Sequence, residues 1–514
     1  MENERLVKIL SNKDVLSLAF GAMIGWGWVV TTGIWISQAG SLGAMIAFLI
    51  GGFLVILVGL TYAELSSSLP LVGGELIYSF KAMGRVASFV TTWAIVLGYV
   101  SVVAFEAVAL PTVFEYLVPN YSKGYLYTVT GWDVTVTWAG VGMLGSVIIA
   151  WINYRGIKFS TAIMYILTLL IAISGVLLIT GSGFSGNVEN MTPLFHKGLA
   201  GLLTVVIMTP FMFVGFDVIP QATEEINLPP KRIGQLLIFS VVLAVLWYVM
   251  IIFGVSYILT PEEMVSSNLV TADAMAKAFG NSQLMGNILV LGGIGGILTS
   301  WIGFYVGGSR AIYALAKAGM LPKFLADLHP KYKTPYKAII LIAVFSTVAP
   351  LFGRPALVWL VDAGGLGLIV AWFMVSLSFL ILRKKAPDMA RPFRLKAGNL
   401  VGWLAVFMSI GVGILYMPGM PSALLWPYEW LIIISWSVIG GVLYRFSMRK
   451  RDGREVDEYL NNEIARVLNY REKVAEKEAE KEGRVASSLC SSPEKGELAT
   501  YVSEYRQKQL RGEE

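Results

Sequence analysis

The sequence predicts an all-α integral membrane protein with twelve transmembrane helices. Its 514 residues are 56% hydrophobic and 14% charged, whereas soluble domains carry roughly 45–50% apolar and about 25% charged residues. Twelve apolar stretches are long enough to cross the hydrocarbon core of a bilayer, which is about 30 Å thick. They lie at roughly 15–37, 42–65, 86–116, 134–153, 158–182, 199–222, 234–258, 285–318, 336–352, 356–382, 400–417 and 423–446.

The basic residues in the short loops predict how the helices are oriented. With the N-terminus inside, the inner loops contain 21 Lys and Arg residues and the outer loops contain four. Cytoplasmic loops of membrane proteins carry such an excess of positive charge. We therefore expect a multi-pass protein of the plasma membrane whose N- and C-termini are both cytoplasmic.

Composition divides the chain into regions and excludes several functions. Two histidines and one cysteine are too few for a multi-ligand metal site, a haem or iron–sulfur carrier, or a disulfide scaffold. The net charge of +6 belongs to the membrane part, because the residues from Arg445 onward hold 15 basic and 15 acidic side chains. No nucleic-acid partner is therefore expected. The predicted regions are a cytoplasmic N-terminus (1–14), a ten-helix core (15–384), a loop with helices 11–12 (385–446) and a charged cytoplasmic tail (447–514).

The tail has its own composition. Runs such as KVAEKEAEKEGR predict a solvated helix with ion pairs four residues apart, followed by a Ser-rich disordered end that contains Cys490. Two interpretations of the tail stay open: it either lacks a site of its own or is a regulatory docking segment.

Two of the twelve helices contain residues that interrupt a helix. The first reads LAFGAMIGWGWVVTTG, and the sixth reads VVIMTPFMFVGFDVIPQATEE with Pro210, Gly215 and Pro220 at a corresponding depth. Backbone groups freed by such breaks are tolerated in a membrane only where they line a cavity. A pair of breaks five helices apart indicates two inverted five-helix repeats with a central binding site. The alternative is that the glycines merely allow close helix packing.

Four motifs follow one another in a fixed order. They are GAMIGWGWV in the first helix, YAELSSSLPLVGGELIYSFKAMG before the third, GFDVIPQATEEINLPPKRI at the sixth and GGSRAIYALAKAGMLPKFLADLHPKYKTP after the eighth. Together they resemble the amino acid–polyamine–organocation (APC) superfamily of permeases, which have the leucine-transporter fold. The resemblance implies alternating-access transport of a small amino acid. An amine or polyamine permease or exchanger is the alternative, and a nutrient sensor of the same fold is a remote one.

The resemblance also implies a substrate site between the two breaks. In the family, the backbone of the first break holds the substrate carboxylate, and carbonyls of the sixth helix hold the amino group beneath an aromatic lid. Carried over by motif, Phe211 is the lid and Asp217 is an inner-gate contact or a cap of the resumed half-helix. The implied substrate contacts are Met23, Trp26, Gly27, Tyr99, Val103, Phe211 and Val214.

Trp26 and Trp28 depart from the family pattern, because GWG stands where GSG is usual. Two indoles at the break favour a small substrate or a cationic group stacked on a ring. Alternatively, the tryptophans face neighbouring helices or lipid.

Glu106 lies well inside the third helix with no charged residue near it in sequence. A carboxylate at such a depth is costly and is by default a functional candidate. It pairs with a substrate amine, carries a proton, or reaches the outer interface; the sequence leaves these three roles open.

The coupling ion also stays open in the sequence. By resemblance to sodium-coupled members, the carbonyls of Gly21, Ile24 and Gly296 and the hydroxyls of Thr299 and Ser300 provide five oxygens for sodium. The alternative is that the two hydroxyls only hydrogen-bond back to carbonyls of their own helix. Proton-coupled members carry a lysine midway along helix five, and the corresponding position here is Ile171. Sodium symport is therefore favoured over proton coupling through Glu106 or Asp217 and over uncoupled exchange.

No cofactor other than a possible sodium ion is expected. The sequence lacks protease and hydrolase motifs, so we do not expect an enzyme.

Overall fold

A computed structural model shows a helical membrane protein. It describes residues 6–118, 120–267, 269–420, 423–449 and 451–469. Among these residues, eleven helices are long and apolar enough to cross a membrane, with each interrupted helix counted once. The segment predicted as the ninth span, Tyr336–Phe352, is shorter. It changes from α-helix to 3-10 helix at Ala349, before Pro350, because proline lacks the N–H that an α-helix needs.

The helices follow the predicted stretches closely. The first part of the chain contains α1 (Asn12–Met23), α2 (Gly27–Val30), α3 (Thr32–Ala39), α4 (Ser41–Ser68), α5 (Gly74–Met83), α6 (Arg85–Leu117), α7 (Val136–Tyr154), α8 (Ile157–Ser185), α9 (Gly198–Val206), α10 (Thr209–Phe213) and α11 (Val218–Gln221). The second part contains α12 (Pro230–Ile258), α13 (Pro261–Ser266), α14 (Val270–Ala278), α15 (Gln283–Lys317), α16 (Tyr336–Val348), α17 (Ala356–Lys385), α18 (Gly398–Leu415) and α19 (Tyr428–Arg449).

A short β-hairpin, which the sequence analysis did not predict, connects α6 and α7. Its antiparallel strands are β1 (Tyr125–Val129) and β2 (Trp132–Thr135). Thr130 and Gly131 join them with positive φ angles of 45° and 82°, the conformation that tight hairpin turns require. The Thr135 hydroxyl accepts the Trp138 N–H and starts α7, so this helix begins two residues later than predicted.

One face of the membrane part is held together by polar contacts. The backbone N–H of Leu10 donates to the Glu225 carbonyl at 2.9 Å. The Lys158 ammonium lies 2.6 Å from the Asp14 carboxylate. The Arg310 guanidinium binds the Glu225 carboxylate through two hydrogen bonds of 2.9 and 3.1 Å, and both side chains are buried. We call this surface, on which α1 begins, the N-terminal face.

The chain divides into two compact units, Met1–Leu460 and Asn461–Glu514. In the second unit, residues 461–469 are helical. The KVAEKEAEKEGR run, the Ser-rich end and Cys490, on which the interpretation of the tail rests, lie outside the described residues. The region boundaries at residues 14, 384 and 446 stay predictions.

Candidate substrate site

The first membrane helix is interrupted between α1 and α2. Ile24 leaves helical geometry with φ −103° and ψ 74°, and α2 starts three residues later. A Cβ atom on Gly25 would lie 2.7 Å from a carboxylate oxygen of Glu106 and 3.2 Å from the hydroxyl oxygen of Ser300. Only glycine therefore lets the backbone of this break lie directly against α6 and α15.

The sixth membrane helix is interrupted between α10 and α11. Val214 is extended with φ −61° and ψ 144°, and Gly215 has φ +131°, a conformation that side chains strongly disfavour. A Cβ atom on Gly215 would lie 2.8 Å from the backbone nitrogen of Met23. The two breaks are therefore in contact with each other.

Tyr248 on α12 joins the two breaks. Its phenol oxygen lies 3.0 Å from the Met23 carbonyl and 3.0 Å from the Met212 carbonyl, and it donates its single hydrogen to this pair. The sequence analysis did not identify Tyr248. The signal that could have found it is a polar hydroxyl midway along an otherwise apolar span, where a buried hydroxyl needs a partner.

The breaks enclose a cavity of about 20 Å³, room for roughly one water molecule. Of the predicted substrate contacts, those that line it are Met23, Trp26, Gly27, Glu106, Phe211 and Val214. The other lining residues are Ala22, Gly25, Val102, Phe105, Met212, Tyr248, Ser300 and Phe304. Since the cavity is far smaller than an amino acid, the site is closed in this conformation.

Two predicted contacts on the third membrane helix, Tyr99 and Val103, do not line the cavity. The carbonyl of Val103 accepts a hydrogen bond from the Ser346 hydroxyl of α16 at 3.2 Å. The Tyr99 ring packs on Phe304, with centroids 5.5 Å apart. The residues of α6 that line the cavity are Val102, Phe105 and Glu106. Successive helical residues differ by about 100° in direction, so Val103 points away from the cavity although its neighbour Val102 lines it.

The aromatic residues of the site are buried among helices. Phe211 packs edge-on against Phe105, with centroids 5.5 Å apart and an interplanar angle of 67°. The Trp28 ring packs edge-on against Trp247 of α12 at 5.3 Å, and the Trp26 ring lies against Gly293 of α15. Neither indole faces lipid, and of the two only Trp26 lines the cavity.

Glu106 is buried, with 1% of its surface exposed. Its carboxylate is hydrogen-bonded to the Ser300 hydroxyl and to the backbone N–H of Trp26. Its second oxygen, Oε2, has no partner among the residues that the structure describes. Because Glu106 lines the central cavity rather than extending to a membrane surface, it presents one unpaired acceptor beside the first break.

The five predicted sodium ligands are divided between two places. A Cβ atom on Gly21 would lie 3.1 Å from the Thr299 Cβ, and one on Gly296 would lie 2.8 Å from the Ile24 carbonyl oxygen. These four residues therefore meet where α1 crosses α15. Ser300 instead faces Glu106 and the central cavity, because it is rotated by about 100° from its neighbour on α15.

A hydroxyl that the sequence analysis missed faces the same crossing. The Thr168 Oγ1 on α8 would lie 3.0 Å from a Cβ atom on Gly21 and has no hydrogen-bond partner among the described residues. Ile171, the predicted counterpart of the helix-five lysine of proton-coupled members, packs against Gly295 instead. The described residues contain no cluster of three or more His, Cys, Asp or Glu side chains suited to a metal ion.

Asp217 lies at the start of α11 and is fully buried. Its Oδ1 accepts the Gly215 N–H at 3.1 Å, and its Oδ2 accepts the indole N–H of Trp372 at 3.0 Å. The side chain makes no capping hydrogen bond to α11. Asp217 therefore fixes the non-helical segment between α10 and α11 against α17, and it does not cap α11.

Two contacting breaks around a closed cavity are the arrangement found in secondary transporters, whose binding sites lie between discontinuous helices. The chain belongs to the amino acid permease family, whose model matches residues 10–444. It is a member of the APC superfamily, and its relatives are transporters rather than enzymes.

Similar proteins carry several substrate names. The methylthioribose transporter of Bacillus subtilis (strain 168) is 27% identical over 87% of this chain and 95% of its own length. The branched-chain amino acid permease BcaP of the same organism is 26% identical over 85% and 92%. The Asc-type amino acid transporter 1 of Mus musculus is 25% identical over 82% and 81%.

Proposed function

We propose that this permease moves a small amino acid across the plasma membrane by alternating access, coupled to sodium. The observation that carries the proposal is the closed cavity between two contacting breaks, with one unpaired carboxylate oxygen of Glu106 beside it. The names of the relatives support an amino acid as the substrate class. The proposal includes the twelve-helix topology, the inverted five-helix repeats and cytoplasmic termini.

In this proposal the substrate lies between Met23 and Val214. Its ammonium meets the carbonyls of the sixth helix, and its carboxylate meets the backbone amides of the first break. The cavity must expand to admit it, and the Phe211–Phe105 contact is the pair that separates. The substrate then leaves through the N-terminal face, which opens when Glu225 and Arg310 part.

Sodium coupling is supported by the oxygens at the crossing of α1 and α15. Gly21, Ile24, Gly296 and Thr299 meet there, and Thr168 adds a hydroxyl without a partner. Five oxygens form a suitable shell for a hard cation. In the alternative, a proton on Glu106 or Asp217 drives transport, or exchange is uncoupled.

An amine or polyamine permease is the second candidate, and Glu106 favours it. A buried carboxylate with a free oxygen is a partner for an ammonium group that has no carboxylate of its own. In a sensor, by contrast, the same site would bind its ligand without releasing it on the other side.

A thermal-stability measurement on detergent-purified protein tests these proposals together. A panel of amino acids and amines is screened in sodium and in choline buffer, since a ligand that binds only the folded state raises the melting temperature. Stabilisation by one amino acid that requires sodium is the expected result. Stabilisation by amines alone, equal in both buffers, would overturn both the substrate class and the sodium site.

A further inference from the structure

A second buried carboxyl group lies outside the substrate cavity, on the short helix α5. Glu75 is fully buried in the first turn of this helix. Gly73 precedes it with φ +80° and turns the chain into α5. A Cβ atom on Gly74 would lie 2.5 Å from the Pro220 side chain, so the start of α5 lies against α11, the resumed half of the sixth helix.

The two oxygens of Glu75 are in different surroundings. Oε2 accepts a hydrogen bond from the side-chain amide of Gln221 on α11, while Oε1 has no partner among the described residues. The phenols of Tyr62 on α4, Tyr78 on α5 and Tyr99 on α6 are close neighbours, and Tyr62 faces Glu75 while Tyr99 faces Asp217. This polar cluster is fully buried.

Asp217 is the second acid of the cluster, and among the described residues no basic side chain forms an ion pair with either acid. On the packed elements, Arg310 of α15 is bound to Glu225, and Arg383 of α17 is bound to Glu64. Lys385 donates to a backbone carbonyl. Two buried carboxylates without a cation would cost several kcal/mol each, so the cluster must hold a proton or another cation.

The hydrogen bonds indicate which acid holds the proton. Asp217 accepts one N–H on each oxygen, from Gly215 and from Trp372, and such donors stabilise the ionised form. Glu75 accepts the amide of Gln221 on Oε2, whereas its Oε1 has no partner within hydrogen-bond distance among the described residues. Burial, and then the neighbouring Asp217, raise the pKa of Glu75 well above its usual range.

We propose that Glu75 is a proton-binding site that is neutral while the N-terminal face is closed and releases its proton to water when α11 moves away. The coupling is direct because Gln221, which binds Glu75, and Pro220, which packs on the adjacent Gly74, belong to the interrupted helix itself. The O–H bond of the carboxyl breaks, the proton goes to water at that face, and the carboxylate is then solvated. This inference rests on the proposed alternating access, since it requires the N-terminal face to open.

The sign of the pH dependence follows from the proton release. Opening releases a proton, so alkaline conditions on the N-terminal face favour the open form and acidic conditions favour the closed form. For one proton, the opening equilibrium changes by at most about tenfold per pH unit. A glutamine at this position has the shape of the neutral acid and cannot release a proton.

Infrared spectroscopy of the full-length protein tests the protonation directly. At neutral pH the wild type should show the C=O stretch of a protonated buried carboxyl, which Glu75→Gln weakens. Glu224→Gln is the matched control, because Glu224 is a carboxylate nearby in the fold that accepts the backbone N–H of Val72 at 3.3 Å and is not fully buried. A spectrum unchanged by Glu75→Gln would overturn the proposal. So would a carboxyl C=O band that appears only after metal cations are removed from the buffer, because the cluster would then hold a metal cation in place of the proton.

Exchange across proteoliposomes tests the link to opening. The substrate concentrations inside and outside the vesicles are equal, and only the pH at the N-terminal face is varied. Wild type and Glu224→Gln should exchange faster as that pH rises, while Glu75→Gln should give a flat, slow profile and Glu75→Asp should restore the slope. A slope retained in Glu75→Gln would overturn the linkage. That result leaves exchange itself, and so the proposed function, intact; absence of exchange in the wild type would instead contradict the proposed function.

Discussion

Glu106 is the residue at which zwitterion and amine recognition separate. A zwitterion has its own carboxylate for the amides of the first break, whereas an amine depends on the Glu106 oxygen that has no partner. The Ser300 hydroxyl and the Trp26 amide already hold the other side of the carboxylate. The side chain is therefore positioned before substrate arrives.

Replacing Glu106 with glutamine should weaken the affinity for a transported amine and spare transport of a small amino acid. The change removes a charge-assisted hydrogen bond to ammonium worth about 1.5–3 kcal/mol, which corresponds to roughly tenfold or more in affinity. Uptake of a radiolabelled amino acid and a matched amine, measured side by side, checks it. Unaltered affinity for the amine would contradict the role of Glu106.

Thr168→Val should raise the sodium concentration needed for half-maximal uptake by about tenfold, since it removes one of about five oxygens from the proposed sodium shell. The side chain keeps its volume, so the helix crossing should remain packed. Thr180→Val on the same helix is the control, because its exposed hydroxyl only donates to the Val176 carbonyl. Sodium titrations of uptake give the comparison, and identical sodium curves for both variants would exclude Thr168 as a ligand.

Among the elements, the interrupted sixth helix depends on one glycine. Gly215→Ala should destabilise the protein by about 1–3 kcal/mol because a side chain at φ +131° is strained, and its Cβ would press on the Met23 nitrogen. Gly140→Ala on α7 is the control, since a Cβ there meets nothing within 4 Å. Melting temperatures in detergent should fall for the first variant only; equal values would show that the break tolerates a side chain.

Sequence patterns predicted the long helices and both breaks because apolar length and misplaced glycine or proline are local signals. They did not predict the hairpin between α6 and α7, whose strands are only five and four residues long. Nor could they predict the rotation of α6 about its axis. Val102 lines the cavity, whereas the next residue, Val103, binds α16 through its carbonyl. Tyr248 and Thr168 are identified by what they face on other helices, and spacing along one chain does not contain that information.

At the scale of the whole molecule, the tail separates a transporter from a sensor. Deleting residues 461–514 should leave uptake intact, because the first compact unit reaches Leu460. Deleting residues 447–514 should instead lower the stability of the protein, because this longer deletion removes Val456 and Leu460, which are buried with 1% and 2% exposure. Uptake and melting temperature of both truncations are measured together. Loss of uptake without loss of stability in the shorter deletion would favour a signalling tail.

Orientation is the property on which the direction of every proposed step depends, and the single cysteine allows it to be measured without engineering. Cys490 follows the last membrane helix in sequence, and the excess of Lys and Arg in alternate loops predicts that this end is cytoplasmic. A membrane-impermeant maleimide should therefore label inverted membrane vesicles and leave right-side-out vesicles unlabelled until they are permeabilised. Cys490→Ser is the control for background labelling. Labelling of intact right-side-out vesicles would reverse the orientation. The N-terminal face, with the Arg310–Glu225 pair and Glu75, would then be the outer gate.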